Sequence, residues 1–503
     1  MTTKIPGKQR ALVLQGGGAL GAYEVGVLKA LFEKFKNEDN DKDKPFFDII
    51  AGTSIGAINA AILVSYVTKK KKDNPNLTPK ECWEGSIEKL EEFWRYISQP
   101  TPTNAKFISS SWWWQNKLNN NMNIASNEAA RRYYSTKQFF TTGVEKVFSS
   151  PSIIYDTKFF DNFPYSPPNN VWYRYDNAPL RESIKSLVGK NFPIKTRPYN
   201  SKSNHNTSAV EGPRLLVVSV DVEDANAVTF DSYGKMDKEN DNKNYEWKTK
   251  YGQKNDEHMI IYNDGITLDH VMASATIPLT YDYQLIDGRK YWDGGLLSNT
   301  PLRELIGRHK SFWEDEIDPQ ELEKGMWKTD SNMSISDEIK GVKVPDLEVY
   351  IISVWQSKET NLPSDHDGVK DRYNDIRYSD KTKYDEKVAL LISDYLELSK
   401  QIRNIAIKNF KNKDEKEKFE RELDHFLKNT DTKSPLRSGE GRKYDALIRG
   451  SFEITNVIRI ERQDNSDNIS SKFADFTSET IEDLIKQGKK DTLDTFEKLK
   501  NKS

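Results

Sequence analysis

The run from Phe46 to Leu63 constrains this chain more than any other. An apolar segment, Phe46-Phe47-Asp48-Ile49-Ile50-Ala51, ends in Gly52-Thr53-Ser54-Ile55-Gly56, and an alanine-rich helical run begins at once. Strand, sharp turn and helix in that order are what a nucleophile elbow requires, with Ser54 at its tip. A serine held at such a strained turn leaves no room for β-carbons at Gly52 and Gly56. The turn also sits at a helix N-terminus, where the N–H of Ile55 can face a developing oxyanion. Two other readings fit the same letters. Residues 49 to 68 carry no charge and run into Lys69-Lys70-Lys71-Lys72, the pattern of a membrane span with a basic flank. Glycines, Thr53, Ser54 and Asn59 inside the run weigh against a span. The pentapeptide taken alone is only moderately specific and also occurs in ordinary loops.

Upstream, Ala11-Leu12-Val13-Leu14 is a short buried-strand pattern, followed by Gln15-Gly16-Gly17-Gly18-Ala19-Leu20-Gly21 and an amphipathic run from Tyr23 to Phe35. The spacing Gly16-x-Gly18-x-x-Gly21 satisfies the dinucleotide fingerprint, so an NAD(P)-binding oxidoreductase is a rival from another class. That reading needs an acidic residue at the end of the second strand. The chain instead has Ala51-Gly52-Thr53-Ser54 there, with Asp41 and Asp43 in a polar turn. A row of glycine N–H donors at a helix start better suits an anionic transition state.

From about residue 100 to 213 the pattern is irregular and rich in aromatics, and reads as an insertion or lid over the site. Its Trp112-Trp113-Trp114 run is expected to pack the insertion on the core, or alternatively to touch a membrane. Arg214 to Val220 is a β-branched run fit for a buried parallel strand. Thr267 to Ile277 reads as a helix stopped by Pro278. Gln284 to Trp292 alternates around Asp287-Gly288, a strong hairpin signal, and delivers the chain into Asp293-Gly294-Gly295. Asp before Gly is commonly a turn former. Because a serine hydroxyl needs a base, Asp293 is also the candidate for that role. None of the six histidines lies in a motif with mechanical logic, though His309 does follow Asp293 in the order of an α/β-hydrolase triad, which leaves a Ser-Asp-His reading as the minor alternative.

The blocks Leu14 to Gly21, Gly52 to Gly56 and Asp293 to Gly295, with Ala273 to Pro278 ahead of the last, resemble in order and spacing those of patatin-like phospholipases. The resemblance covers about residues 10 to 355 and leaves the insertion unmatched. It implies a three-layer α/β/α fold around a mostly parallel sheet, and a Ser54-Asp293 dyad with no histidine. It further implies a glycine-rich oxyanion hole at Gly16, Gly17 and Gly18, completed by Ile55, with Gly294 and Gly295 forming the turn after the base. One departure stands out: many members carry Arg or Lys in the glycine block where this chain has Leu20. Backbone donors must then suffice, each worth roughly 3 kcal/mol of transition-state stabilisation in comparable sites.

The expected organisation is a catalytic domain over 1–355, with the insertion inside it, and a mainly helical extension over 356–503 packed on the core. That extension resembles the one found in a microbial subgroup of the family. Within it, Leu391, Tyr395, Leu398, Ile402 and Ile405 form an apolar stripe expected to dock on the protein's own core. Lys411 to Lys428 reads as a charged helix, Ile454 to Ile460 as a strand, and Ser478 as the N-cap of a last helix.

Composition narrows the functional class. At 503 residues with a formal net charge of −2, long-range attraction to nucleic acid is not expected. The single cysteine, Cys82, excludes an internal disulfide framework and suits a reducing compartment. The expectation is a cytoplasmic protein, peripheral to membranes at most, needing neither metal nor cofactor. The expected reaction is hydrolysis of a lipid or acyl ester through an acyl-enzyme on Ser54. The alternative is a catalytically weak lipid-binding scaffold of the same fold.

Overall fold

The computed structural model describes residues 5–38, 41–100, 135–149, 175–199, 209–233, 246–247, 258–261, 265–325, 342–359, 362–364, 366–433, 443–463 and 471–501. The Trp112-Trp113-Trp114 run lies outside the described residues.

Among the described residues ten strands build one sheet: β1 (Lys8–Leu14), β2 (Ile49–Thr53), β3 (Arg214–Asp221), β4 (Asn226–Asp231), β5 (Glu246–Trp247), β6 (His258–Ile261), β7 (Gln284–Ile286), β8 (Arg289–Asp293), β9 (Asp346–Ser353) and β10 (Ile454–Glu461). Their order is β10-β9-β1-β2-β3-β4-β6-β5, and the β7–β8 hairpin joins through β8 to β3. The five strands from β10 to β3 are mutually parallel, and β4 returns antiparallel to β3.

Among the described residues, the helices α1 (Ala22–Glu38), α2 (Ile55–Asp73), α3 (Ser86–Ile97), α4 (Ala178–Val188), α5 (Leu268–Ser274), α6 (Leu302–Glu316), α7 (His366–Tyr378), α8 (Lys383–Asn409), α9 (Lys413–Asn429) and α10 (Ser478–Lys500) flank this sheet, with seven further helical segments of three to seven residues. Alternate residues of each strand serve opposite faces. Leu12, Leu14, Ile50 and Ile352 meet the layer that contains α1, α2, α3 and α10. Ala11, Val13, Ile49 and Val349 meet Leu302 and Leu305 of α6. Cover on both faces is why these strands read as unbroken apolar runs rather than alternating ones.

The last part of the chain is built into these layers. β10 pairs with β9 inside the sheet. α10 lies so close to α1 that a β-carbon on Gly26 would sit 1.9 Å from the Ile485 carbonyl oxygen. Across the same contact the Tyr23 hydroxyl donates to the Asp491 carboxylate over 3.1 Å.

Three expectations from the sequence change. The sequence from about Pro79 to Tyr96, after the Lys-rich loop, reads as one helix; it is two, Pro79–Cys82 and α3, because Gly85 between them adopts φ +86°. The N-cap of α10 is Thr477, not Ser478. The stripe on α8 does not dock: Leu391, Tyr395, Leu398, Ile402 and Ile405 are each more than half exposed. Another face of α8 is used instead. Ala389 packs beneath the sheet, Leu396 meets the cluster of Leu427 and Ile448, and Arg403 pairs with Glu420 of α9. Among the described residues no helix is long and apolar enough to cross a membrane. The uncharged run over 49–68 belongs to a buried strand and the helix packed on it.

Candidate active site

Two strands meet β3 from opposite directions. β2 runs parallel to the first part of β3 and ends with Thr53 opposite Val218. β8 runs antiparallel to its far end and stops with Asp293 opposite Ser219. Because these rungs are consecutive, and a strand advances about 3.3 Å per residue, the residues at the two strand ends become neighbours. Ser54 and Asp293, far apart in sequence, line one cavity of about 230 Å³ together with Gly16, Gly17, Gly18 and Ile55.

The serine turn is strained as its sequence predicts. Ser54 adopts φ +55°, a left-handed conformation unusual for a residue with a side chain. The elbow is too tight for side chains at its flanks: a β-carbon on Gly52 would lie 2.4 Å from the Gly56 carbonyl oxygen, and one on Gly56 2.5 Å from that of Leu14.

The block Ala273 to Pro278 anchors both partners. The Ser54 N–H donates to the Ser274 hydroxyl at 2.9 Å, which itself donates to the Val218 carbonyl at 2.5 Å. Two residues on, the Thr276 carbonyl accepts the Asp293 N–H at 2.8 Å. Serine turn and carboxylate are thus hung from one short segment at the end of α5. Burial pushes the Asp293 carboxyl up to about 6, while hydrogen bonds from the Ser54 side chain and the Gly295 N–H oppose that rise. The Gly295 bond to Asp293 Oδ1 measures 2.7 Å and fixes the orientation of the carboxylate.

The glycine turn faces the same cavity, but its residues divide the work. The N–H of Gly16 is already donated to the Asn299 carbonyl at 3.3 Å, so the expectation that it serves as an oxyanion donor is corrected. What Gly16 provides is clearance, since a β-carbon there would come within 2.9 Å of Ser54 Cβ and 2.5 Å of Asn299 Oδ1. Gly17 and Gly18 open the first turn of the short helix ahead of α1, and Gly18 has φ +57°. A helix start leaves its first N–H groups without intrahelical acceptors, as it does at Ile55. The Leu20 side chain is buried in the core, so position 20 brings no cation to the cavity.

Gln15 and Asn299 are the residues whose roles the sequence did not announce. Gln15 Nε2 donates to the Thr300 hydroxyl at 2.8 Å, and its Oε1 accepts the N–H of Val354 and Trp355 at 2.8 and 3.1 Å. Asn299 Nδ2 donates to the Gly16 carbonyl at 3.1 Å and the Tyr378 carbonyl at 2.8 Å. Together they lock the glycine turn to β9 and to the end of α7. The only signal available was position: Gln15 directly precedes the glycines, and Asn299 follows Asp293 closely.

His309 does not reach this place. It is buried on α6 with Nε2 2.7 Å from the Pro345 carbonyl oxygen and its ring edge-on to Phe452. Burial depresses it to about 3, which keeps the ring neutral. The Ser-Asp-His alternative is therefore corrected: His309 packs the entry to β9, and the cavity lining contains no histidine among the described residues.

A profile described as Patatin-like phospholipase matches residues 12–306, more than half of the chain, and spans the serine turn, the glycine turn and Asp293. The chain belongs to the patatin-like phospholipase family. Membership carries hydrolysis of lipid acyl esters as the general activity, and it replaces the dinucleotide reading of the glycine turn. Among solved structures, one titled "Crystal structure of VipD from Legionella pneumophila" is 13% identical, with a TM-score of 0.28, over 98% of this chain and 67% of that one. No curated protein matches the chain.

Proposed function

We propose that this patatin-like protein is a serine acyl hydrolase in which Ser54 is the nucleophile and Asp293 its base. The observation that carries the reading is the head-on ending of β2 and β8 beside β3, which makes the two side chains neighbours at the floor of one cavity.

In the acylation step Ser54 Oγ attacks the ester carbonyl carbon as its proton passes to the Asp293 carboxylate. The tetrahedral oxyanion is met by the N–H groups of Gly17, Gly18 and Ile55. Collapse breaks the carbon–oxygen bond to the alcohol, which leaves with the proton from Asp293. Water then repeats the sequence on the acyl-enzyme: Asp293 takes its proton, and collapse returns that proton to Ser54 as the carboxylic acid departs. Desolvation supports the carboxylate in this role. An ordinary aspartate is too weak a base, and raising it to about 6 narrows the gap to the serine hydroxyl while leaving it ionised at neutral pH.

The second reading, a lipid-binding scaffold of low turnover, draws on one observation, the lack of a cation at position 20 beside the glycine turn. A fluorophosphonate probe separates the two. The hydrolase predicts stoichiometric labelling that Ser54→Ala abolishes, together with cleavage of a panel of lipid and chromogenic esters. A folded wild-type protein that takes no label and cleaves no ester would leave the scaffold.

A further inference from the structure

Beyond Ser54 the cavity turns apolar, and its wall comes from widely separated parts of the chain. Ile58 of α2, Phe139 and Phe148 of the insertion, Leu180 of α4, and Phe473 and Phe476 from near the C-terminus line it. Phe139 is the hub. Its ring centroid lies 4.8 Å from that of Phe148 and 5.7 Å from that of Phe473, both edge-on, and 6.3 Å from that of Phe476 in a stacked arrangement. Such pairs hold their geometry, so this is a shaped wall rather than a loose apolar surface.

The segment carrying Phe473 and Phe476 is pinned at both ends. Lys472 Nζ lies 2.7 Å from the Asp375 carboxylate of α7, with both side chains buried. The Phe476 carbonyl accepts the Gln99 N–H at 2.7 Å, and the Gln99 carbonyl accepts the Ser478 N–H at 2.9 Å. Between these anchors the segment touches the glycine turn, because a β-carbon on Gly18 would come within 2.6 Å of the Phe473 carbonyl oxygen. Phe473 and Phe476 lie well past residue 306, where the family match ends.

We infer that Phe473 and Phe476, closing on Phe139, form the acyl-selecting wall of this site and limit the acyl chain length that it accepts. This rests on the hydrolase reading above. The cavity is finite, about 230 Å³, so this wall sets how much of an acyl chain can leave water. Each methylene that fits gains apolar contact and each that does not must stay in water or strain the wall, a difference worth at least about tenfold in kcat/KM per step.

The test compares p-nitrophenyl esters from two to sixteen acyl carbons on the full chain. The expected profile rises to an optimum within the series and falls by about tenfold or more beyond it. Phe473→Ala removes part of the wall and should move the optimum to longer chains. Leu296→Trp, which adds bulk to another lining residue, should move it to shorter ones. Calorimetric titration of the Ser54→Ala protein with neutral n-alkyl methyl ketones of increasing length reads the same wall without catalysis. If the wild type cleaves no ester but the ketones show the length optimum, the hydrolase reading fails and the wall stands. A flat profile in both measurements, or an optimum that neither folded variant moves, overturns the inference. Should Phe473→Ala fail to fold by circular dichroism, Leu296→Trp decides alone.

Discussion

Two aspartates end strands that pair with β3, both out of solvent, and their surroundings drive them in opposite directions. Asp231, the last residue of β4, receives two guanidinium groups: Arg214 donates to it over 2.9 and 2.5 Å, and Arg308 over 3.0 and 2.5 Å. These cations outweigh desolvation and hold its carboxyl down to about 2. Asp293, the last residue of β8, is given only neutral donors among the described residues, and burial takes it up to about 6. Depth alone therefore does not make a carboxylate reactive. A paired carboxylate is a structural rivet, whereas one buried among uncharged donors keeps a proton affinity that chemistry can use.

The contrast also fixes the signs of their stability effects. A carboxyl lowered in the folded state stabilises above its ordinary value near 4 and loses that contribution as pH falls through about 2. A carboxyl raised in the folded state favours folding when protonated, and that advantage is lost as pH rises through about 6. At neutral pH the proposed base is thus maintained at a cost in stability, as is common for functional groups.

The largest expected effect is on stability. Asp231→Asn leaves Arg214 and Arg308 buried without a counter-charge, and urea unfolding should show a loss of about 3 to 5 kcal/mol. Asp293→Asn should act on stability in the opposite sense and on activity as well: kcat/KM for an ester falls by at least about 100-fold, the scale of a lost general base, while the melting temperature at pH 8 rises. A variant that loses stability at pH 8 instead would break the comparison. The third effect sharpens it. The acid limb of the wild-type kcat/KM profile should bend near pH 6 and drop about tenfold per pH unit below that.

Smaller still is the expected effect at Glu24, a third buried acid. It accepts the Asn59 amide at 2.7 Å beneath the serine and glycine turns, and burial takes it up to about 8 from an ordinary 4.5. Wild-type stability should decline as pH rises from about 4.5 through 8, and Glu24→Gln should flatten that slope in melts run across the range. The smallest belongs to His309. His309→Gln should leave kcat/KM near the wild-type value, since the ring is buried away from the cavity.

Much of this site could be read from the chain because its demands are local. The steric need for Gly52 and Gly56 around Ser54, and the hairpin at Asp287-Gly288 that delivers Asp293, arise within a few residues of backbone. The engagement of the Gly16 N–H could not be read, because its acceptor, the Asn299 carbonyl, arrives from 283 residues away. The α8 stripe misled for a related reason. Helical spacing identifies faces that are able to dock, and only the neighbours decide which one does. The N-cap of α10 shifted by one residue because Asp475 arranges the Thr477 hydroxyl and N–H around itself at 2.8 and 3.1 Å.

The sequence by itself determined the strand–turn–helix units, the strained serine, the glycine turn and an aspartate at a strand end, because short-range sterics and hydrogen bonding dictate each of them. The tertiary structure alone decided that β2 and β8 stop at consecutive rungs of β3, that no cation among the described residues meets Asp293, and that aromatic rings from residues 139 and 473 share one wall. Those outcomes depend on which distant segments come to lie side by side, and a carboxylate's proton affinity or a cavity's length is a property of that assembled neighbourhood rather than of any residue's place in the chain.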